Sequence, residues 1–278
     1  MTEEVDARPL YSPARVRRLL ARYGLRGDKA YGQNFLIDKK VLHDVVEAGS
    51  AGPHDTVLEV GPGLGVLTRE LAARAARVVA LELDERLLPL LHETLADLDN
   101  VSLLHADALR FDLTALPQGS LLISNLPYNI ATTLIVRALE SARFRTLTFL
   151  IQREVAERLA ATAGQDAYGA LSLIVAHYGQ VAILRHVKAT AFLPPPEVTS
   201  SLVRIDIDPA ARPDPKTFEL IRSSFRHRRK TLLNNLIMAG YERQRVSAAL
   251  ATLGVSERVR AEALDLATFR QLSKTLDV

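Results

Sequence analysis

From Val41 onward the chain alternates short runs of Val, Leu and Ile with segments of helical periodicity, and this constrains the fold more than any other feature. Two parallel strands need a crossover of a dozen or more residues between them, usually a helix. Strand and helix signals in regular alternation therefore specify βα units and a mostly parallel sheet. The apolar runs predict strands near 56–60, 78–82, 101–105, 120–124, 146–151, 181–187 and 201–207. Helical periods fall near 38–48, 65–75, 84–97, 130–140, 152–162 and 169–178. Only residues 188–200 separate the last two strands, too little for a helical crossover, which predicts an antiparallel hairpin at one edge of the sheet.

After Asp208 the run Asp208-Pro209-Ala210-Ala211-Arg212-Pro213-Asp214-Pro215 breaks the pattern, and beyond it the period is purely helical, in four or five short pieces. A chain of 278 residues, 48% hydrophobic, can bury one large core and a smaller second one. The net charge of +3 conceals a polarity. Residues 1–30 hold seven basic and four acidic side chains, residues 31–211 hold 15 and 21, and residues 212–278 hold 13 and seven. Both ends are basic around an acidic middle, as in a catalytic body flanked by polyanion-binding parts. The expected organisation is a basic N-terminal arm at 1–30, a catalytic α/β domain at 31–208 and a small all-α domain at 209–278.

The start of the sequence, Met1-Thr2-Glu3-Glu4-Val5-Asp6, is acidic where a secretory signal is basic, and no apolar run approaches the about 18 residues of a spanning helix. A cytoplasmic protein without a membrane partner is expected. The chain has no cysteine, which excludes disulfides, thiolate metal sites and cysteine nucleophiles. His177, His186 and His227 have no metal-ligand spacing, and no metal site is expected.

The first strand runs into Glu59-Val60-Gly61-Pro62-Gly63-Leu64-Gly65, which opens directly into a helix. Glycines let a backbone turn sharply and approach a ligand closely. The spacing G-x-G-x-G differs from the dinucleotide fingerprint G-x-G-x-x-G, which tilts the reading from a nicotinamide cofactor toward S-adenosylmethionine. The next strand ends in Leu81-Glu82-Leu83-Asp84, where Glu82, about 20 residues after the loop, can accept hydrogen bonds from both ribose hydroxyls. The third ends in His105-Ala106-Asp107-Ala108, where Asp107 can accept from an adenine amino group. Strand ends of an open α/β sheet line one crevice, so Glu59, Gly61, Gly63, Gly65, Glu82, Leu83, Asp107 and Ala108 are candidate cofactor-binding residues.

The fourth strand ends in Ser124-Asn125-Leu126-Pro127-Tyr128-Asn129. An adenine amine is a poor nucleophile because its lone pair is delocalised into the ring. Acceptors that hold its N–H bonds aim the lone pair at a methyl donor, and the Asn125 side-chain oxygen and the Leu126 carbonyl can be those acceptors. Pro127 stiffens the turn, and Tyr128 offers a face on which an extruded base can stack. DNA adenine methyltransferases usually carry a second proline where Leu126 stands.

With these motifs the chain resembles the ribosomal RNA small-subunit adenine N6,N6-dimethyltransferase family (KsgA type). The resemblance runs from Gly32-Gln33-Asn34-Phe35-Leu36 through the glycine loop and Asn125-Leu126-Pro127-Tyr128. It continues through 152–158, 168–172 and Phe192–Ser200 to Phe225–Thr231. It implies a Rossmann-like S-adenosylmethionine-dependent methyltransferase that dimethylates two adjacent adenosines near the 3′ end of small-subunit rRNA. The implied partner is that rRNA or a 30S precursor, and the enzyme is expected to act as a monomer. The resemblance also implies cofactor contacts by Gln33, Asn34, Leu36 and Asn125, stacking of the target base by Phe192 opposite Tyr128, and RNA contacts by Arg226, Arg228, Arg229 and Lys230. On a helix those four could not share one face. Two alternatives stay open: the sister type that methylates large-subunit rRNA and confers macrolide resistance, and a mainly non-catalytic ribosome-assembly factor.

Overall fold

The computed structural model describes residues 8–26 and 32–277. Of the basic arm, residues 1–7 and 27–30 lie outside the described residues. Within it Pro13–Arg22 forms a helix, α1, with Pro13 in the first turn, where a missing N–H costs nothing. Val16, Leu19 and Leu20 make its buried stripe. A two-residue strand, β1 (Phe35–Leu36), leads into α2 (Lys39–Gly49), whose start is capped by Asp38 accepting from the Lys40 and Val41 N–H groups at 2.8 and 3.0 Å.

The βα alternation follows: β2 (Thr56–Val60), α3 (Val66–Ala72), β3 (Arg77–Glu82), α4 (Leu88–Thr94), β4 (Val101–His105), β5 (Ser120–Asn125), α5 (Ala131–Glu140) and β6 (Phe144–Gln152). Then come α6 (Arg153–Ala160), α7 (Ala170–Tyr178), β7 (Gly179–Val187), β8 (Phe192–Leu193) and β9 (Ser200–Ile207). Helices α8 (Pro215–Ser224), α9 (Leu232–Met238), α10 (Arg243–Thr252) and α11 (Leu266–Leu276) complete the order. The single helix expected over 84–97 is a 3-10 turn, Glu85–Leu87, followed by α4, because Pro89 fits only the first turn of a helix.

Seven strands form one sheet in the order β4-β3-β2-β5-β6-β9-β7. β2 runs parallel to β3 and β5, β3 to β4, and β5 to β6. β5 is buried at Leu121, Leu122 and Ile123 in succession, as a parallel strand covered on both faces must be. As expected, the last two strands lie side by side at one edge of the sheet, with β7 outermost. β9 is inserted between β6 and β7, antiparallel to β6 from Thr146↔Asp206 to Gln152↔Ser200. Residues 200–203 of β9 are buried without alternation, so it needs cover on both sides, whereas β7 alternates partly buried and exposed positions and can serve as an edge. β1 and β8 pair antiparallel as a separate ribbon, Phe35↔Leu193 and Leu36↔Phe192.

The described residues form two compact units. One comprises the chain up to Ala156 together with Ala182–Ile207; the other comprises Glu157–Val181 together with the chain from Asp208 onward. The sequence placed a boundary at 208, and the structure gives Glu157–Val181 to the helical unit as well. Tyr168 explains part of this: its hydroxyl donates to the Leu264 carbonyl at 2.8 Å and its ring meets Phe225 edge-on at 6.1 Å. In the same unit, His177 packs edge-on against Phe218 at 4.8 Å, and Phe225 lies 6.0 Å from Phe269. Helices α8 and α11 are capped by Asp214 and Asp265. Among the described residues no helix is long and apolar enough to cross a membrane, and no three His, Cys, Asp or Glu residues cluster as a metal site would require.

Candidate active site

Strands β2, β3 and β4 step away from the sheet centre in one direction while β5 and β6 step away in the other. The order reverses between β2 and β5. In an open α/β sheet a crevice forms at the carboxyl ends of the strands at such a switch point. Here it is lined by Gln33, Asn34, Leu36, Glu59, Gly61, Gly63, Glu82, Leu83, Asp107, Ala108, Asn125 and Pro127, bringing residues from four strand ends and the β1 segment to one place.

The loop from β2 to α3 turns through Gly61, Gly63 and Gly65, with φ of 70°, 61° and 82°. At Gly63 an added Cβ would lie 3.0 Å from the Phe35 ring, so glycine lets the β1 segment close over the loop. Gly65 is absent from the crevice lining. A Cβ there would meet Leu95 Cδ2 at 2.9 Å, so this glycine serves helix entry and packing rather than the crevice.

Two carboxylates share the crevice wall. Glu59 is 1% exposed, and one of its oxygens is buried with no hydrogen-bond partner. Burial pushes its carboxyl up to about 8, opposed by the nearby Thr68 hydroxyl and helped by the neighbouring charge of Glu82. Glu82 is also raised by burial, opposed by backbone N–H groups, among them that of Asp84 at 2.8 Å. Asp84 is held below the usual range by the Arg86 guanidinium and by Gln33, whose amide donates at 2.8 Å. Asp107 takes the Leu109 N–H on one oxygen at 2.8 Å and caps the turn that follows. Leu83, 52% exposed, gives the rim an apolar surface suited to a flat ring.

At the end of β5 the Asn125 side-chain nitrogen donates to the Asn34 carbonyl at 2.9 Å. A carbonyl can only accept, so this contact fixes which end of the amide is nitrogen and leaves Oδ1 as an acceptor. Leu126 as a whole residue, backbone included, is 1% exposed, and it is not among the residues that line the crevice. Tyr128 is half-buried, its hydroxyl 2.5 Å from Ser200 Oγ, and burial raises its pKa above the phenol value.

Phe192 departs from expectation. It is 1% exposed, belongs to the hydrophobic core and pairs in β8 with Leu36 of β1. A ring that stacks on a base needs a free face, so in this arrangement Phe192 packs the β1–β8 ribbon. The prolines after it do form an exposed loop, but the loop begins beyond the ring.

Several residues of the site were given no role by the sequence. Ser200 holds Tyr128 from 72 positions away, and Ser124 Oγ donates to the Val60 carbonyl at 2.6 Å, tying β5 to the glycine loop. Phe35, Asn129 and Ile130 line the crevice. Phe35 and Asn129 lie inside or beside motifs already singled out, so adjacency was the available clue.

In the helical unit Arg226, Arg228, Arg229 and Lys230 are all exposed. They lie in the loop between α8 and α9, not on a helix, so the one-face restriction does not apply. Asn235, 2% exposed, clamps this loop: its Oδ1 accepts from the His227 N–H at 3.0 Å and its Nδ2 donates to the His227 carbonyl at 3.1 Å. Arg228 donates to the Asp166 carbonyl at 2.7 Å.

Comparison with known proteins gives a consistent picture. The family model described as ribosomal RNA adenine dimethylase matches residues 24–277. The chain is 52% identical over 274 residues to the ribosomal RNA small subunit methyltransferase A of Deinococcus radiodurans, covering 98% of this chain and 94% of that protein. It is 39% identical to the protein of the same name from Geobacillus thermodenitrificans, covering 95% and 96%. Among solved structures, the 23S rRNA methyltransferase ErmE is 28% identical with a TM-score of 0.69, over 88% of this chain and all of that one. A dimethyladenosine transferase from Plasmodium falciparum, 24% identical, shares the fold with a TM-score of 0.75 over 86% and 95%. With a matching model over nearly the whole sequence and relatives of this identity along it, the chain belongs to the ribosomal RNA adenine dimethylase family.

Proposed function

We propose that this chain is an S-adenosylmethionine-dependent methyltransferase that dimethylates N6 of two adjacent adenosines near the 3′ end of small-subunit rRNA. It acts in the cytoplasm as a monomer, on the rRNA or a 30S precursor. The observation that carries the reading is the clamped amide of Asn125, whose free oxygen stands beside a crevice lined by Glu59, Glu82 and Asp107. The names of the relatives at 52% and 39% identity favour the small-subunit substrate over the large-subunit one.

The crevice fits the cofactor. Glu82 can accept from ribose hydroxyls, and Asp107 with the exposed Leu83 can take an adenine by its edge and face. Glu59 presents a buried oxygen without a donor, which an amino group can satisfy. When bound, S-adenosylmethionine supplies an electrophilic methyl group. The protein's part is to hold the acceptor: Asn125 Oδ1 and the Leu126 carbonyl take the two N–H bonds of the adenine amine, which turns its lone pair away from ring conjugation. Tyr128, fixed by Ser200, supports the flipped base, and base–aromatic stacking contributes ~1 to 3 kcal/mol. The loop of Arg226, Arg228, Arg229 and Lys230 binds the phosphate backbone.

The test is mass spectrometry of nucleosides from small-subunit rRNA treated with the protein and S-adenosylmethionine. N6,N6-dimethyladenosine at two adjacent positions is expected. Modification confined to large-subunit rRNA, or none on either RNA, would overturn the reading.

A further inference from the structure

Residues 8–26 contain six arginines and no acidic side chain. Arg22 is committed to Glu93, and Arg15 donates to the Arg8 carbonyl. Arg17 and Arg26 are exposed and have no ion-pair partner among the described residues. These two arginines line a groove with Leu20, Leu25, Leu193 and Pro194. The groove thus has an apolar floor, contributed by α1 and by the chain leaving β8, and cationic walls. It also adjoins the segment that bounds the catalytic crevice, through the pairing of β8 with β1. Leu193 is the register partner of Phe35, Phe35 lines the crevice, and the preceding Asn34 holds Asn125.

An apolar floor flanked by guanidinium groups matches a single nucleic-acid strand, which offers flat base or ribose surface between evenly spaced phosphates. An acidic peptide would satisfy the arginines but leave the floor without a matching partner at each charge. We infer that this groove binds the single-stranded RNA that flanks the target adenosine, with Arg17 and Arg26 on successive phosphates and a base or ribose against Leu193 and Pro194. This rests on the RNA reading above and extends it to a surface outside the Arg226–Lys230 loop. The groove would set which nucleotides next to the target can be presented to Asn125.

The test uses the whole protein and a naked transcript of the 3′ segment of small-subunit rRNA, titrated over a range of salt concentrations. Replacing both arginines (Arg17→Ser with Arg26→Ser) is expected to weaken binding about 10-fold near 0.15 M salt and to lower the log–log salt slope by about 1.4, roughly 0.7 for each single-strand phosphate no longer neutralised. The charge-keeping pair Arg17→Lys with Arg26→Lys should retain the slope. A comparison pair, Arg77→Ser with Arg143→Ser, lies at the start of β3 and just before β6, the end of those strands away from the crevice, and should leave it unchanged. Cofactor affinity, measured by calorimetry, should be the same in all of them. A wild-type protein that does not bind the transcript would sink the RNA reading itself. Wild-type binding with an unchanged slope in the serine pair would sink the groove alone. Loss of binding to an assembled 30S particle with full affinity for the naked transcript would assign the groove to a ribosomal protein, also overturning it.

Discussion

The side-chain amide of Asn125 donates to the main-chain carbonyl of Asn34, 91 positions earlier in the chain, at 2.9 Å. The asparagine proposed as catalytic is therefore oriented by the segment that closes over the cofactor crevice. Unmodified adenine has two N–H donors for the pair of acceptors at this turn; the monomethylated amine has one. Asn125→Ala should slow both transfers and the first more, because a missing or unfilled acceptor costs ~1 to 3 kcal/mol. RNA already carrying N6-methyladenosine should be a substrate at a rate within about tenfold of the first step, a barrier difference of ~1.4 kcal/mol. Single-turnover mass spectrometry reads both. A product that halts at the monomethyl stage under excess cofactor would contradict dimethylation, and equal losses in the two steps would contradict this division of labour.

Glu82 faces the crevice with one oxygen held by the Asp84 N–H, an arrangement that fits its proposed role of accepting from a ribose diol. Glu82→Ala should weaken cofactor binding by ~1.5 to 3 kcal/mol for each hydrogen bond to the charged group that is removed, and leave RNA affinity intact. Calorimetry showing wild-type affinity for the cofactor would refute the assignment.

Glu59 predicts a pH dependence of stability. Its carboxyl ionises near 4.5 when unfolded and near 8 when folded without ligand. Between these values the native state keeps a proton that the unfolded state has released. The contribution of Glu59 is therefore complete below about 4.5, falls as pH rises through the window, and changes no further above about 8. Glu59→Gln, which cannot ionise, should gain on the wild type by up to a few kcal/mol between pH 5 and pH 8 in the absence of cofactor. Thermal melts across that range check it. A constant difference in Tm would mean that Glu59 is ionised in the native protein.

Arg228, Arg229 and Lys230 sit exposed in a loop that Asn235 clamps at both the N–H and the carbonyl of His227. Neutralising the three together should weaken RNA binding and reduce the salt slope by about 0.7 to 0.9 for every phosphate that is no longer neutralised, with cofactor affinity unmoved. An unchanged slope would show that the loop is only a solvated surface.

What the chain states locally, it states well. Each strand of the seven-stranded sheet announces itself by a run of apolar residues, and the crossovers by a helical period except the one from β4 to β5, which holds only a 3-10 turn at Leu113–Ala115, because those signals depend only on which neighbours along the chain face the core. The glycine turn after β2 and the Asn125–Tyr128 turn are legible for the same reason, being short segments whose backbone conformation the residue types themselves demand. Glu59, Glu82 and Asp107 could be assigned to one crevice because a parallel sheet brings its strand ends together by rule. Pairings between distant segments could not be read this way. That β9 enters the sheet beside β6, that Asn34 orients Asn125 and that Ser200 holds Tyr128 are decided by which surfaces meet after collapse. Gly65 answering to Leu95, Phe192 turning inward behind β1, and Glu157–Val181 joining the helical unit are of the same kind. Side-chain volume and hydrogen-bond valence must be satisfied in three dimensions, and a residue's neighbours along the chain do not determine its neighbours in the core.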